Sequence, residues 1–150
     1  MDFYTPLPYH AENQPALTAF LEKCLPESGR VLDLSGRQSF YLDISNHFLG
    51  FWCMYDESGM IGTVGIRELS PRNCELKSLY LLEKYHGKGY GRMLLDTAMD
   101  AARKLGYQKM YLDSLLTSTK ALKLYRRAGF LETERYNDAV RSDIFMVKDL

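Results

Sequence analysis

The sequence predicts a mixed α/β fold in which helices cover both faces of a central sheet of about six to seven strands. Three observations lead there. Several segments repeat apolar residues at helical spacing, so each has one face to bury. Strand-like runs follow one another across short turns between residues 51 and 82, the mark of an antiparallel meander. Beyond residue 89, helical and strand patterns alternate, which requires crossovers and places helices on the sheet.

Asn13 and Pro15 mark the first helix start. Leu17, Phe20, Leu21 and Cys24 then share a face before Pro26 ends the helix. A second helix is expected over 37–47, where Phe40, Tyr41, Ile44 and Phe48 form a stripe. Residues 51–55 and 60–69 read as strands joined by the turn Asp56-Glu57-Ser58-Gly59. After the turn Ser70-Pro71-Arg72-Asn73 comes a strand over 74–82. The next helix runs over 89–105, with Met93/Leu94, Ala98, Ala101/Ala102 and Leu105 inward. Arg92, Asp96, Asp100, Arg103 and Lys104 face water, and Gly106 suits the C-terminal cap. A short strand spans 109–113. Thr117 or Ser118 starts the last helix, with Ala121, Leu122, Tyr125 and Ala128 inward and Gly129 at its end. Strands over 130–136 and 144–148 close the chain.

A chain of 150 residues, 46% of them hydrophobic, can bury about two-thirds of its unfolded surface as one domain spanning residues 1–150. Lys plus Arg and Asp plus Glu number 19 each, which argues against a broad nucleic-acid footprint. The apolar runs fall far short of the roughly 20 residues of a membrane span, and the N-terminus lacks a signal-peptide pattern. Cys24, Cys53 and Cys74 are odd in number and far apart, with no C-x-x-C. A reduced, cytoplasmic protein with thiols in its core is expected. His10, His47 and His86 form no ligand spacing with them, so no metal is expected.

One segment carries chemistry more plainly than the rest: His86-Gly87-Lys88-Gly89-Tyr90-Gly91-Arg92, between a strand and a long helix. A helix start leaves backbone N–H groups without intrahelical carbonyls, and the helix dipole favours an anion there. Glycine lets a bulky diphosphate approach, while Lys88 and Arg92 add charge. The spacing fits neither the dinucleotide fingerprint G-x-G-x-x-G nor the P-loop, which disfavours a nucleotide-dependent enzyme. By itself such a loop could equally be a tight strand-to-helix connection.

Its context resembles the GNAT superfamily of acetyl-CoA-dependent N-acetyltransferases. The matching residues are Glu75 to Leu81, the loop itself, and Ala121 to Phe130. The family pattern Gln/Arg-x-x-Gly-x-Gly/Ala becomes His86-x-x-Gly89-x-Gly91. The pattern Asn-x-x-Ala-x-x-Leu-Tyr…Gly-Phe is followed except that Ser118 replaces Asn. The resemblance covers residues 60–130 and is weaker before them. It implies direct acetyl transfer from acetyl-CoA to an amine of a small molecule, amino acid or peptide. Leu79, Tyr80 and Leu81 would then offer backbone groups to the pantetheine arm, with Ser118 beside it. Residues Gly87, Lys88, Gly89, Tyr90, Gly91 and Arg92 would hold the diphosphate.

The reaction needs a neutral amine and a proton for the departing thiolate. Glu75 is the leading base, acting through water; an exposed strand-end glutamate pairing with Lys77 or Arg67 is an equal alternative. Asp113 is a rival base, or a cap for the following loop. Tyr125 suits the acid, since phenol and thiolate are of similar basicity; a core tyrosine on a helix stripe is the plain alternative. His86 lacks the permanent charge of the family's Arg, and is expected to matter little while Lys88 and Arg92 remain. Lys120, Lys123, Arg126 and Arg127 could meet the 3′-phosphate or simply form a solvated face. Phe40, Tyr41, Trp52, Arg67 and Tyr136 are candidate walls for the acceptor, with Arg67 suited to a carboxylate. A non-catalytic acyl-CoA-sensing module is the alternative function. Dimerisation through an edge strand near the C-terminus is left open.

Overall fold

The computed structural model describes residues 2–150. A seven-stranded sheet, in the order β1-β2-β3-β4-β5-β7-β6, organises the molecule. Its strands are β1 (Leu7–Pro8), β2 (Gly50–Asp56), β3 (Gly59–Ser70), β4 (Asn73–Leu81), β5 (Lys109–Ser114), β6 (Leu131–Thr133) and β7 (Ile144–Asp149). All neighbours are antiparallel except β4 and β5. A parallel pair needs a long crossover. The helix α3 (Tyr90–Lys104) supplies it. The other helices are α1 (Gln14–Glu27), the single turn α2 (Ile44–His47) and α4 (Thr119–Arg127).

Both faces of the sheet are covered. A methyl group added at Gly62 would come within 3.1 Å of Leu94 on α3. One added at Gly65, on the opposite face, would come within 2.8 Å of Phe48 and Phe51. In α1, Leu17, Phe20, Leu21 and Cys24 are buried as their spacing predicts, and Pro26 lies in the last turn. The stripe of α3 is rotated from the expected one: Leu94, Leu95, Ala98, Met99 and Ala102 are buried, whereas Met93 and Leu105 are 39% and 57% exposed. Neighbouring positions lie about 100° apart around a helix, so which of Met93 and Leu95 flanks Leu94 inward depends on the sheet beneath.

The helix expected over 37–47 is interrupted. A 3-10 turn (Ser39–Leu42) leads to Asp43, with φ −148° and ψ 59°, before α2 begins. A continuous helix would give the Tyr41 carbonyl to residue 45, but that carbonyl accepts a hydrogen bond from Gln14 Nε2 at 3.0 Å. Asp43 is also a poor interior residue, since its side chain competes for local donors. Tyr41 and Ile44 are buried all the same. The strand expected over 130–136 is only Leu131–Thr133. The chain then leaves as a loop held by Arg135, whose guanidinium donates to the carbonyls of Ala139 and Ser142.

Cys24, Cys53 and Cys74 are buried and unpaired. Burial pushes their thiols up, to about 12 for Cys24 and Cys53 and about 11 for Cys74. Among the described residues no helix is long and apolar enough to cross a membrane.

Candidate active site

The cleft begins where two strands part. Pairing between β4 and β5 runs from Asn73↔Lys109 to Glu75↔Tyr111 and then stops, although β4 continues to Leu81 and β5 to Ser114. A bulge in β4 accompanies the parting. Thr63 faces Tyr80 and Gly65 faces Lys77, so β4 carries one extra residue there. Ser78 has φ +58°, a left-handed backbone that costs a non-glycine residue about 1–3 kcal/mol. Two buried hydrogen bonds hold it: Thr63 Oγ1 donates to the Ser78 carbonyl at 2.8 Å, and the Tyr41 hydroxyl lies 2.6 Å from Ser78 Oγ. Beyond the bulge Tyr80 and Leu81 pair with β3 on one side only, and the other edge of Leu79–Leu81 faces the gap. Nothing in the sequence marks the bulge, because serine has no preference for positive φ.

At the end of β4 the glycine loop reaches α3. Gly87 and Gly89 have φ of +79° and +89°, and an added Cβ at either would meet nothing within 4 Å. Helix α3 starts at Tyr90 with no side-chain cap and no acid in its first turn. Open glycine backbone before an uncapped helix fits a diphosphate. A Cβ on Gly91 would lie 3.5 Å from Leu124, so this loop abuts α4. Arg92 pairs with Asp96 at 2.8 Å, and Lys88 Nζ sits 5.9 Å from the centre of the Tyr85 ring. Tyr90 stacks on Tyr4 at 5.2 Å. His86 turns inward: its Nε2 donates to the Leu81 carbonyl at 2.9 Å, closing the preceding turn, and its buried Nδ1 has no partner among the described residues.

Across the gap, Ser118 precedes α4 and accepts a hydrogen bond from Arg30 Nη2 at 3.3 Å. The same guanidinium lies 5.7 Å from the centre of the Tyr80 ring. Tyr125 is buried and packs edge-on against Phe130. Burial raises its phenol above the ordinary value; Arg30 opposes the rise, while Tyr80 and Asp113 add to it. Burial likewise raises Tyr80, with Asp113 contributing. Leu79–Leu81, Ser118 and Tyr125 are thus brought around one gap. Arg30 joins them from the turn after α1, where no periodicity singles it out.

The inner end of the gap is polar. Glu75, the leading base candidate, is 1% exposed, so of the alternative reading the pairing with Arg67 is present but the exposure is not. Its Oε1 accepts from Arg67 Nε at 2.7 Å, and its Oε2 accepts from the Tyr136 hydroxyl at 2.6 Å and Asn137 Nδ2 at 3.1 Å. Asp113 does not cap the following loop; it accepts from Asn137 Nδ2 at 2.8 Å and from Ser142 Oγ. Burial pushes the Tyr136 phenol well above its ordinary range, and the Glu75 charge pushes it further. Of the expected walls, Phe40 lies beside Lys77, Tyr41 supports the bulge, and Tyr136 bonds Glu75. Arg67 Nε bonds Glu75, while its side chain stays 40% exposed. Trp52 pairs with Val64 and so points, like Gly62, to the α3 face away from Glu75. Asn137 and Ser142 lie between the two expected closing strands, where no motif singles them out, so their reach back to the carboxylates had no sequence signal.

Residues 12–130 match the acetyltransferase (GNAT) family. The uncharacterized N-acetyltransferase YjgM of Escherichia coli (strain K12) is 27% identical over 128 residues, covering 79% of this chain and 77% of that protein. A relative from Schizosaccharomyces pombe, also an uncharacterized N-acetyltransferase, is 37% identical over 54% of this chain but only 51% of its own length. A GNAT-family acetyltransferase structure from Staphylococcus aureus superposes with a TM-score of 0.86 at 20% identity, over 97% of this chain and 98% of that one. The PaiA N-acetyltransferase of Thermoplasma acidophilum, crystallised with coenzyme A, gives 0.75 at 20% identity over 97% and 98%.

Proposed function

Because the chain belongs to the acetyltransferase (GNAT) family, we propose that it transfers an acetyl group from acetyl-CoA directly to a primary amine of a small molecule, amino acid or peptide. The observation that carries this reading is the gap between β4 and β5. It has an anion cradle at one end, a free backbone edge along its side, and a buried carboxylate with a phenol at the other.

The N–H groups from Gly87 to Arg92 hold the diphosphate, with charge from Lys88 and Arg92. The free edge of Leu79, Tyr80 and Leu81 binds the pantetheine arm, and Ser118 contacts it. Lys120, Lys123, Arg126 and Arg127, grouped on one exposed surface of α4, suit the 3′-phosphate. Acetyl-CoA itself supplies an activated acyl group. A backbone N–H near Leu81 polarises the thioester carbonyl. Glu75 receives the proton of the acceptor ammonium, whose ordinary pKa of roughly 10 otherwise keeps it protonated near neutral pH. Tyr125 gives its proton to the leaving thiolate. Burial raises phenol and thiolate alike in this dry cleft, so their match survives, and Arg30 limits the cost of the transient phenolate. The sulfur atoms of the buried cysteines have no part in direct transfer.

A thermal-shift and thiol-release screen tests the reading. Acetyl-CoA at 100 times its Kd should stabilise the chain by about 2.7 kcal/mol, and some amine should then release CoA thiol. Binding without thiol release across a broad amine panel would instead favour an acyl-CoA-sensing module.

A further inference from the structure

Glu75 is sealed from the cleft by its own partners. Three groups occupy its oxygens: Arg67 Nε, the Tyr136 hydroxyl and Asn137 Nδ2. At 1% exposure the carboxylate has no room for an acceptor amine. Of these partners, one can pass a proton on. A guanidinium N–H and an amide N–H donate but do not accept. A phenol oxygen does both: it can take a proton on a lone pair while its own moves on. Tyr136 is also only partly buried, so it bridges the sealed carboxylate and the cleft surface.

Resting on the acetyl-transfer reading above, we infer that Tyr136 is a further catalytic residue, the proton relay between the acceptor amine and Glu75. The acceptor ammonium gives one proton to Tyr136 Oη as the Tyr136 proton crosses 2.6 Å to Glu75 Oε2. The neutral amine then adds to the thioester carbon, the C–S bond breaks, and the thiolate takes the proton of Tyr125. Tyr125 recovers a proton from the nitrogen of the adduct. Glu75 returns its proton to solvent by the reverse relay, so the net change is one proton released per amide formed. The ring is held for this task by Tyr111 at 5.0 Å and Phe145 at 5.7 Å. The charged or titratable groups around Tyr136 are Arg67 from β3, Glu75 from β4, Tyr111 and Asp113 from β5, and Arg135, which lies over the Phe145 ring.

The test compares wild type, Tyr136→Phe, Glu75→Gln and the double variant, using the best amine from the thiol-release panel. Phenylalanine keeps the ring contacts. The relay predicts that kcat falls about 10²-fold in each single variant, the size of a lost proton-transfer catalyst. The double variant should be no slower than the slower single one, because both groups serve one path. The acid limb of the kcat–pH profile should disappear while the acetyl-CoA Kd stays unchanged. If Tyr136→Phe fails to fold, 3,5-difluorotyrosine at position 136 keeps the hydroxyl and should shift the limb to lower pH. A Tyr136→Phe enzyme with an intact limb and near-normal kcat, or an unmoved limb with the fluorinated residue, overturns the relay alone. Wild type that binds acetyl-CoA yet acetylates no amine overturns the acetyl-transfer reading, and the relay with it.

Discussion

A phenol that lends its proton inside a dry cleft is effective only if its acceptor is equally poorly solvated. Tyr125, the proposed donor, is itself poorly solvated, since burial dominates the rise in its proton affinity. Tyr125→Phe should therefore lower kcat by about 10²-fold and leave the acetyl-CoA Kd nearly unchanged. Equal losses in steady-state turnover and in calorimetric affinity would count against an acid role. Gly89 separates fold from binding in another way. Its φ of +89° costs an alanine about 1–2 kcal/mol, yet the methyl would meet nothing in the free chain. Gly89→Ala should melt slightly lower but lose acetyl-CoA affinity disproportionately, since the methyl would point into the proposed diphosphate space. Comparable Tm curves with unchanged titration would reject that placement. At this scale the sequence spoke through residue types: glycines before a helix, a tyrosine on α4, a glutamate on β4. It was silent on Arg30, Asn137 and Ser142, whose relevance comes only from where distant segments meet.

Elements matter here mostly through their irregularities. The bulge at Ser78 is held by Thr63 and Tyr41, from a neighbouring strand and from the broken turn before α2. Thr63→Val leaves the buried Ser78 carbonyl without its donor. That should cost about 1–3 kcal/mol of stability in a denaturant titration. The same change should weaken acetyl-CoA binding if the bulge sets the free edge of Leu79–Leu81. The helices and strands themselves were largely legible, because α1 and α3 carry a helical period while β2, β3 and β4 are strand-like runs bounded by turn residues. The interruption at Asp43 was not, since Gln14 takes the Tyr41 carbonyl from another helix. Nor was β1, two residues long and including a proline.

For the whole molecule, the buried acids of high pKa set the response to alkali. Burial raises Cys24 and Cys53 to about 12 and Cys74 to about 11, from 9.0. Tyr41, Tyr80, Tyr125 and Tyr136 are raised above 10.0. Below about pH 9, folded and unfolded chains both keep these protons, so these groups add no pH dependence. Above it the unfolded chain releases thiol protons first and phenol protons next, while the folded chain retains them. The Tm should therefore be level in this respect up to about pH 9 and fall steadily towards pH 11. A scanning-calorimetry series across that range with a constant Tm would show that these side chains are more open than the structure has them. What the sequence determined by itself was the mixed α/β architecture and the chemical vocabulary of the cleft, because local periodicity and backbone permissiveness are properties of short segments. The tertiary structure alone decided which carboxylate is buried, which arginine pairs with it and which hydroxyl bonds it. Those outcomes depend on burial and on partners 8 to 62 residues away, and no short segment encodes them.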